Sequence, residues 1–230
     1  MNYVLATSRP WNEVLSSRLE VKTGHTFQLI TRKEELTEER LRGIEPRYIF
    51  FPHWSHIIPA SIHSNYECVI FHMTDLPYGR GGSPLQNLIQ RGHQETQISA
   101  LRCVAELDAG PIYMKRRLCL GGAASEIFLR AAGIIESMIE DIIRLEPVPQ
   151  QQQGEITTFR RRTPDESDLA RAQISNLNGF FDFIRMLDAD GYPKAFIQYG
   201  GYRYEFSRAN IYDGRIVADV EITKIEEESR

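Results

Sequence analysis

The stretch Phe71-His72-Met73-Thr74-Asp75-Leu76-Pro77-Tyr78-Gly79-Arg80-Gly81-Gly82-Ser83-Pro84 decides how this chain is read. Its first residue closes an apolar run, 67–71, of the length and composition of a buried strand. A histidine stands where that strand runs out, a glycine-rich loop follows, and a helix opens at Ser83. A second segment, Leu107-Asp108-Ala109-Gly110-Pro111-Ile112, sets a carboxylate on a turn after another apolar strand. Two such turns at one edge of an α/β sheet bring an imidazole and a carboxylate over one crevice. That pair is suited to acyl chemistry.

Outward from this stretch, strands read at 3–6, 26–30, 47–52, 97–104 and 112–120. Helices read at 10–18, 31–41, 83–91 and 123–145, and a short one starts near Ile57-Ile58-Pro59. Pro10 suits a first helical turn, and Thr31 is the candidate N-cap of the second helix. The longest helix carries Ile127, Ala131, Ile134, Ile135, Met138 and Ile142 close to the 3.6-residue period. The alternation predicts an α/β fold, a mostly parallel sheet flanked by helices on both faces. Four consecutive glutamines lie between Pro147 and Gly154, a polar break. The expected division is a main domain over 1–148, a linker over 149–155, and a small α+β tail over 156–230. In the tail, 165–187 reads as helix in two pieces. Residues 195–222 alternate around Gly200-Gly201 and Asp213-Gly214, which are hairpin signals.

The chain has 230 residues, 27 basic and 31 acidic side chains, and a net charge of -4. No basic face stands out, so a nucleic-acid partner is not expected. Arg160-Arg161-Arg162 reads as a solvated turn. Three cysteines, Cys68, Cys103 and Cys119, show no CxxC spacing, which argues against a disulfide framework or a structural zinc. No metal is expected. Met1 to Ala6 lacks a basic signal region, and no apolar run is long enough to span a bilayer. The expectation is a reduced, cytoplasmic protein away from the membrane.

Residues 71–110 resemble the formyltetrahydrofolate-dependent formyltransferases, which include methionyl-tRNA formyltransferase, glycinamide ribonucleotide transformylase and the sugar N-formyltransferases. The family pattern is an asparagine, any residue and a histidine, then a Leu-Pro, an Arg-Gly and a Pro. Here His72, Leu76-Pro77, Arg80-Gly81 and Pro84 fall at similar spacings, and Leu107-Asp108-Ala109-Gly110 matches a downstream Leu-Asp-Thr-Gly. The segments Phe159 to Pro164, Asp182 to Leu187 and Gly191 to Ala195 are similar to the region after the catalytic domain in the sugar branch, nearest to pseudaminic-acid-pathway enzymes.

The resemblance implies a Rossmann-like sheet and a catalytic domain over 1–148. It also implies 10-formyltetrahydrofolate as cosubstrate and a nucleotide-linked amino deoxy sugar as acceptor. It makes His72 and Asp108 catalytic and gives Trp54, Ser55, His56, Leu76, Pro77, Arg80 and Gly110 to cosubstrate binding. One position departs from the pattern: Ile70 stands where the family has asparagine, and isoleucine donates no hydrogen bond. His53 is the favoured substitute because it closes the preceding strand at the same sheet edge. His56 and Thr74 are the alternatives.

In this scheme His72 stabilises the oxygen that gains charge, worth about 10²–10³ in rate for one such donor. Asp108 orients His72 and accepts the amine proton, worth about 10²–10⁴. Arg80, at a helix start, suits a phosphate or carboxylate. Plain structural readings stand beside these. His25, His63 and His93 read as surface residues, and Asp75 reads as a turn residue. Trp54 either stacks on a ligand or fills its loop. Tyr202, Tyr204 and Phe206 form one strand face, a core or homodimer surface. Two other functions stay open: a folate or nucleotide-sugar binding module without catalysis, suggested by Ile70, and formylation of an aminoacyl-tRNA.

Overall fold

The structure, a computed structural model, describes residues 1–226. In chain order its strands are β1 (Asn2–Ala6), β2 (Thr26–Ile30), β3 (Ile49–Pro52), β4 (Cys68–His72), β5 (Arg80–Gly81), β6 (Glu95–Arg102), β7 (Ile112–Cys119), β8 (Thr158–Phe159), β9 (Ala195–Tyr199), β10 (Tyr202–Tyr212) and β11 (Arg215–Lys224). The helices are α1 (Val14–Thr23), α2 (Glu38–Ile44), α3 (Ala60–His63), α4 (Pro84–Gln90), α5 (Ala124–Leu145) and α6 (Leu177–Arg185).

The main sheet has six strands in the order β2-β1-β3-β4-β6-β7. The β1–β2, β1–β3 and β3–β4 pairs are parallel, and β4–β6 is antiparallel. This is the expected α/β class, a mostly parallel sheet flanked by helices, and the tail adds an antiparallel sheet. Parallel strands covered on both faces read as unbroken apolar runs. Val4, Leu5, Ala6, Ile49, Phe50 and Phe51 accordingly have no solvent exposure. On one face Val4, Ile30, Ile49, Phe51, Cys68 and Cys103 belong to a single core cluster.

Several boundaries move for local reasons. Pro10–Asn12 is a turn of 3₁₀ helix, and α1 starts after it and ends at Gly24, whose φ is 68°. Thr31 does not cap a helix: Lys33–Glu35 forms a separate 3₁₀ turn, and Thr37 caps α2 by accepting from the Arg40 N–H at 3.2 Å. Glu38 and Glu39 follow that cap, where the helix dipole favours acidic groups. The short third helix opens at Ala60, behind Pro59. In α5, Ile127, Ala131, Ile135, Met138 and Ile142 are buried and Ile134 is half-buried.

The chain divides into two compact units. The first holds Met1–Pro84, Glu95–Leu118 and Leu129–Phe159. The second holds Leu85–Gln94, Cys119–Phe128 and the residues from Arg160 onward. Within the second, Arg185 is buried and donates to the carbonyls of Leu120 (2.6 Å) and Gly122 (2.9 Å) and to Asp182 (2.6 Å). Its sheet, β11-β10-β9, is antiparallel throughout. Tyr204 and Phe206 are half-buried and Tyr202 is exposed. No helix among the described residues is long and apolar enough to cross a membrane.

Candidate active site

In the main sheet the chain leaves β1 toward β2 on one side, and β3 lies on the other. The carboxyl ends of strands at such a reversal form the crevice that binds ligands in open α/β folds. Thr7, Ser8 and Arg9 follow β1, His53 follows β3, and His72 ends β4. Because Pro52 pairs with Phe71, His53 and His72 come next in register on adjacent strands.

His72 is 7% exposed. Its Nε2 lies 2.8 Å from the Gly79 carbonyl, which only accepts, so Nε2 carries the proton. Its Nδ1 faces Asp108 Oδ2 at 3.6 Å, an ion-pair distance longer than a hydrogen bond. Asp108, also 7% exposed, holds a left-handed backbone with φ 53°, and its Oδ2 accepts the Gly81 N–H at 2.9 Å. The two turns read from the sequence thus converge, and the glycine loop is wrapped around them. Thr74 is fully buried and spends its hydroxyl on the same Gly79 carbonyl at 3.3 Å.

The loop is held by residues 150–159, which span the expected linker and the first residues of the expected tail. Gln150 exchanges two backbone hydrogen bonds with Ile112. The Thr157 carbonyl accepts from Gly79 and Arg80, and the Phe159 carbonyl accepts from Gly82. This close approach explains Gly81: its φ is 105°, and a Cβ there would stand 2.4 Å from the Phe159 oxygen. At Gly110 a Cβ would stand 1.8 Å from the Arg102 oxygen, so the Asp108 turn packs onto β6 with no space for a side chain.

Arg80 is buried and already engaged. Its Nη1 donates to Glu106 (3.0 Å), and Nε (3.1 Å) and Nη2 (2.9 Å) both donate to Gln152 Oε1. These bonds brace the loop. Leu76 is buried, and its N–H donates to Ser99 Oγ at 3.3 Å; the peptide to Pro77 is cis, and the Pro77 carbonyl accepts from Thr157.

His53 has a left-handed backbone (φ 56°), and its carbonyl accepts from the Ser8 N–H. Its ring meets Trp11 edge-on at 5.7 Å. Burial, then the Arg9 guanidinium, pushes the imidazole down to about 3, so it stays neutral at ordinary pH. Ser55 donates its N–H to Ser8 Oγ at 3.1 Å. His56 is exposed and touches the Trp54 ring at 5.3 Å. Trp54 packs on Phe51, and with Ile70 it lies against the core cluster. The Trp54 Nε1 is buried without a hydrogen-bond partner among the described residues. Ile70 pairs with Phe51 on one side and Leu101 on the other, in the row that ends at His72.

Two groups escaped sequence reasoning. Gln152 lies in a polar run and carries no motif. Asn12 is buried, donates to the Pro52 carbonyl (3.2 Å) and Thr7 Oγ1 (3.4 Å), and its Oδ1 has no partner among the described residues. The rule that ligands gather where strand order reverses could have pointed to the loop after β1. Cys68 and Cys103 are buried, and burial raises both thiols, Cys103 to about 11. Among the described residues no group of His, Cys, Asp or Glu could hold a metal.

Comparison with known proteins finds formyltransferases. A family model described as the C-terminal domain of methionyl-tRNA formyltransferase matches residues 164–223. The solved structure of a methionyl-tRNA formyltransferase from Clostridium thermocellum is 50% identical, covers 97% of this chain and 99% of its own, and superposes with a TM-score of 0.94. The methionyl-tRNA formyltransferase of Wolinella succinogenes is 28% identical over 149 residues, 62% of this chain and 48% of its own. The matches span between 28% and 62% of the length of the curated relatives. HypX from Aquifex aeolicus, solved in complex with tetrahydrofolic acid, shares the fold at 19% identity, with a TM-score of 0.72 over 90% of this chain and 37% of its own.

Proposed function

This chain belongs to the formyltransferase family, and on that premise we propose that it transfers a formyl group from 10-formyltetrahydrofolate to a primary amine. The observation that carries the proposal is the His72–Asp108 pair, buried at the carboxyl edge of the sheet and enclosed by the glycine loop. The acceptor nitrogen attacks the formyl carbon, and negative charge gathers on the formyl oxygen. The new C–N bond forms, the bond from the formyl carbon to the folate nitrogen breaks, and the amine proton ends on that nitrogen.

His72 donates toward the charged oxygen. Its Nε2–H is held by the Gly79 carbonyl, so donation requires that carbonyl to share or yield the proton. Asp108 uses Oδ2 on the Gly81 amide and faces the imidazole, which leaves Oδ1 to take the amine proton. His53, neutral and at the adjacent strand end, is the candidate for the donor that Ile70 lacks. Trp54, Ser55, His56, Leu76, Pro77, Arg80 and Gly110 remain the proposed surroundings of the folate. For Arg80 and Gly110 that role is structural, as braces of the loops. Asn12 and the turn after β1 are added on the acceptor side, because Asn12 Oδ1 has no partner among the described residues and lies at the strand reversal.

The acceptor that the named relatives favour is an aminoacyl-tRNA, the substrate for which the 50% identical protein is named. A second reading, a nucleotide-linked amino sugar of the pseudaminic-acid type, draws on a different observation. The chain carries a net charge of -4, whereas a tRNA-binding surface is built from clustered Lys and Arg.

The test supplies 10-formyltetrahydrofolate with charged initiator tRNA in one arm and nucleotide-linked amino sugars in the other. Mass spectrometry reads the gain of one formyl group. Product in either arm fixes the acceptor. His72→Ala is expected to lose about 10²–10³ in rate and Asp108→Ala about 10²–10⁴, with melting curves showing both folded. Wild-type turnover in both variants would sink the assignment. Folate binding with no product in either arm would favour the binding module.

A further inference from the structure

We infer that Gln152 is a positioning residue for the proposed reaction, acting through Asp108; the inference deepens the formyl-transfer reading and rests on it. Gln152 uses its whole hydrogen-bonding capacity at one spot. Its Nε2 donates to the Asp108 carbonyl at 2.7 Å and to the Gly110 carbonyl at 2.9 Å, and its Oε1 accepts twice from Arg80. A side-chain amide has two donor hydrogens and two lone pairs, and all four are engaged. The two halves point at different parts of the site: the acceptor half holds the glycine loop through Arg80, and the donor half holds the turn that presents Asp108.

That turn needs holding. Asp108 is a non-glycine residue with φ 53°, a conformation that persists only where its surroundings over-determine it. Gly110 lies against the Arg102 carbonyl with no space to relax in that direction. Asp108 Oδ2 is also tied to Gly81, the residue after Arg80. The carboxylate is thus set from both ends: its own backbone by Gln152, and its oxygen by a loop that Gln152 also anchors. Freeing the turn would let the carboxylate drift from His72, and a displacement of about 1 Å can cost about 10² in rate.

The experiment compares Gln152→Ala with Gln152→Glu. The glutamate keeps the shape and the acceptor side toward Arg80, and loses both donors toward the turn. With Asp108 positioned by Gln152, both variants lower kcat by about 10- to 100-fold, and KM for 10-formyltetrahydrofolate stays within about twofold. The imidazole ¹⁵N resonances of His72 in histidine-labelled protein shift in both, a readout that needs no substrate. A Gln152→Glu protein with wild-type kcat and an unmoved His72 signal would overturn the inference and reduce Gln152 to an anchor for Arg80. Shifted His72 resonances in both variants, beside a wild type that formylates no acceptor, would support the strap and count against the formyl-transfer reading.

Discussion

The two principal sheets differ in what their side chains meet. In the six-stranded sheet, β1, β3 and β4 are covered on both faces, and Phe50 and Phe51, neighbours on β3, are both fully buried on opposite sides. In the three-stranded sheet, β10 and β11 are half-exposed or exposed along their length: Ile222 is 57% exposed, Tyr212 52% and Val220 46%. The first sheet gains its stability from volume filled on both faces. The second leans on its ladder and on cross-strand pairs such as Tyr204 with Ile222 and Phe206 with Val220. The proposed chemistry belongs to the carboxyl edge of the first, where a close-packed interior holds loops in strained shapes.

The largest expected effect tests the packed sheet. Phe51→Ala should cost about 3–5 kcal/mol in urea unfolding, because the cavity it leaves cannot collapse between two covered faces. A loss near that of a surface position would erase the contrast between the sheets. A smaller effect comes from the edge of the same sheet. The His53 imidazole is pushed down to about 3 in the folded chain and returns to about 6.5 on unfolding. Its contribution is whole above pH 6.5. Below that the unfolded chain binds the proton first, so stability falls toward pH 3 at up to about 1.4 kcal/mol per pH unit. His53→Gln should flatten that acid limb in melts run from about pH 7 to about pH 4, and an unchanged slope would mean the ring is solvated. The smallest effect belongs to the tail. Val220→Thr should change stability by no more than about 0.5 kcal/mol, and a loss several times larger would mean that this face is covered in solution.

Much of the first sheet was legible because the cause is local. The unbroken apolar run 48–51 reads as a strand buried on both faces, 26–30 interleaves apolar residues with Thr26 and Gln28 as suits the edge strand β2, and the loop after Phe71 carries its glycines where the backbone must turn. The tail hairpins were legible for the same reason, since Gly200-Gly201 and Asp213-Gly214 mark the turns themselves. The helix start at Thr37 was not, because Thr31 and Thr37 both offer a capping oxygen and only the 3₁₀ turn at Lys33–Glu35 decides between them. Arg80 was read as a ligand contact because a guanidinium beside a helix start suggests an anion. The structure turns it toward Glu106 and Gln152.

By itself the sequence determined that an imidazole and a carboxylate would end two segments of one α/β sheet, since residue type and spacing alone set that pattern. The tertiary structure decided what braces the loops around them: Gln152, 44 residues beyond Asp108 and 72 beyond Arg80, hydrogen-bonds to both of those residues. Hydrogen bonds of that separation leave no local trace in a chain, because a polar side chain in a glutamine run has the same propensity whether it meets water or a buried carbonyl.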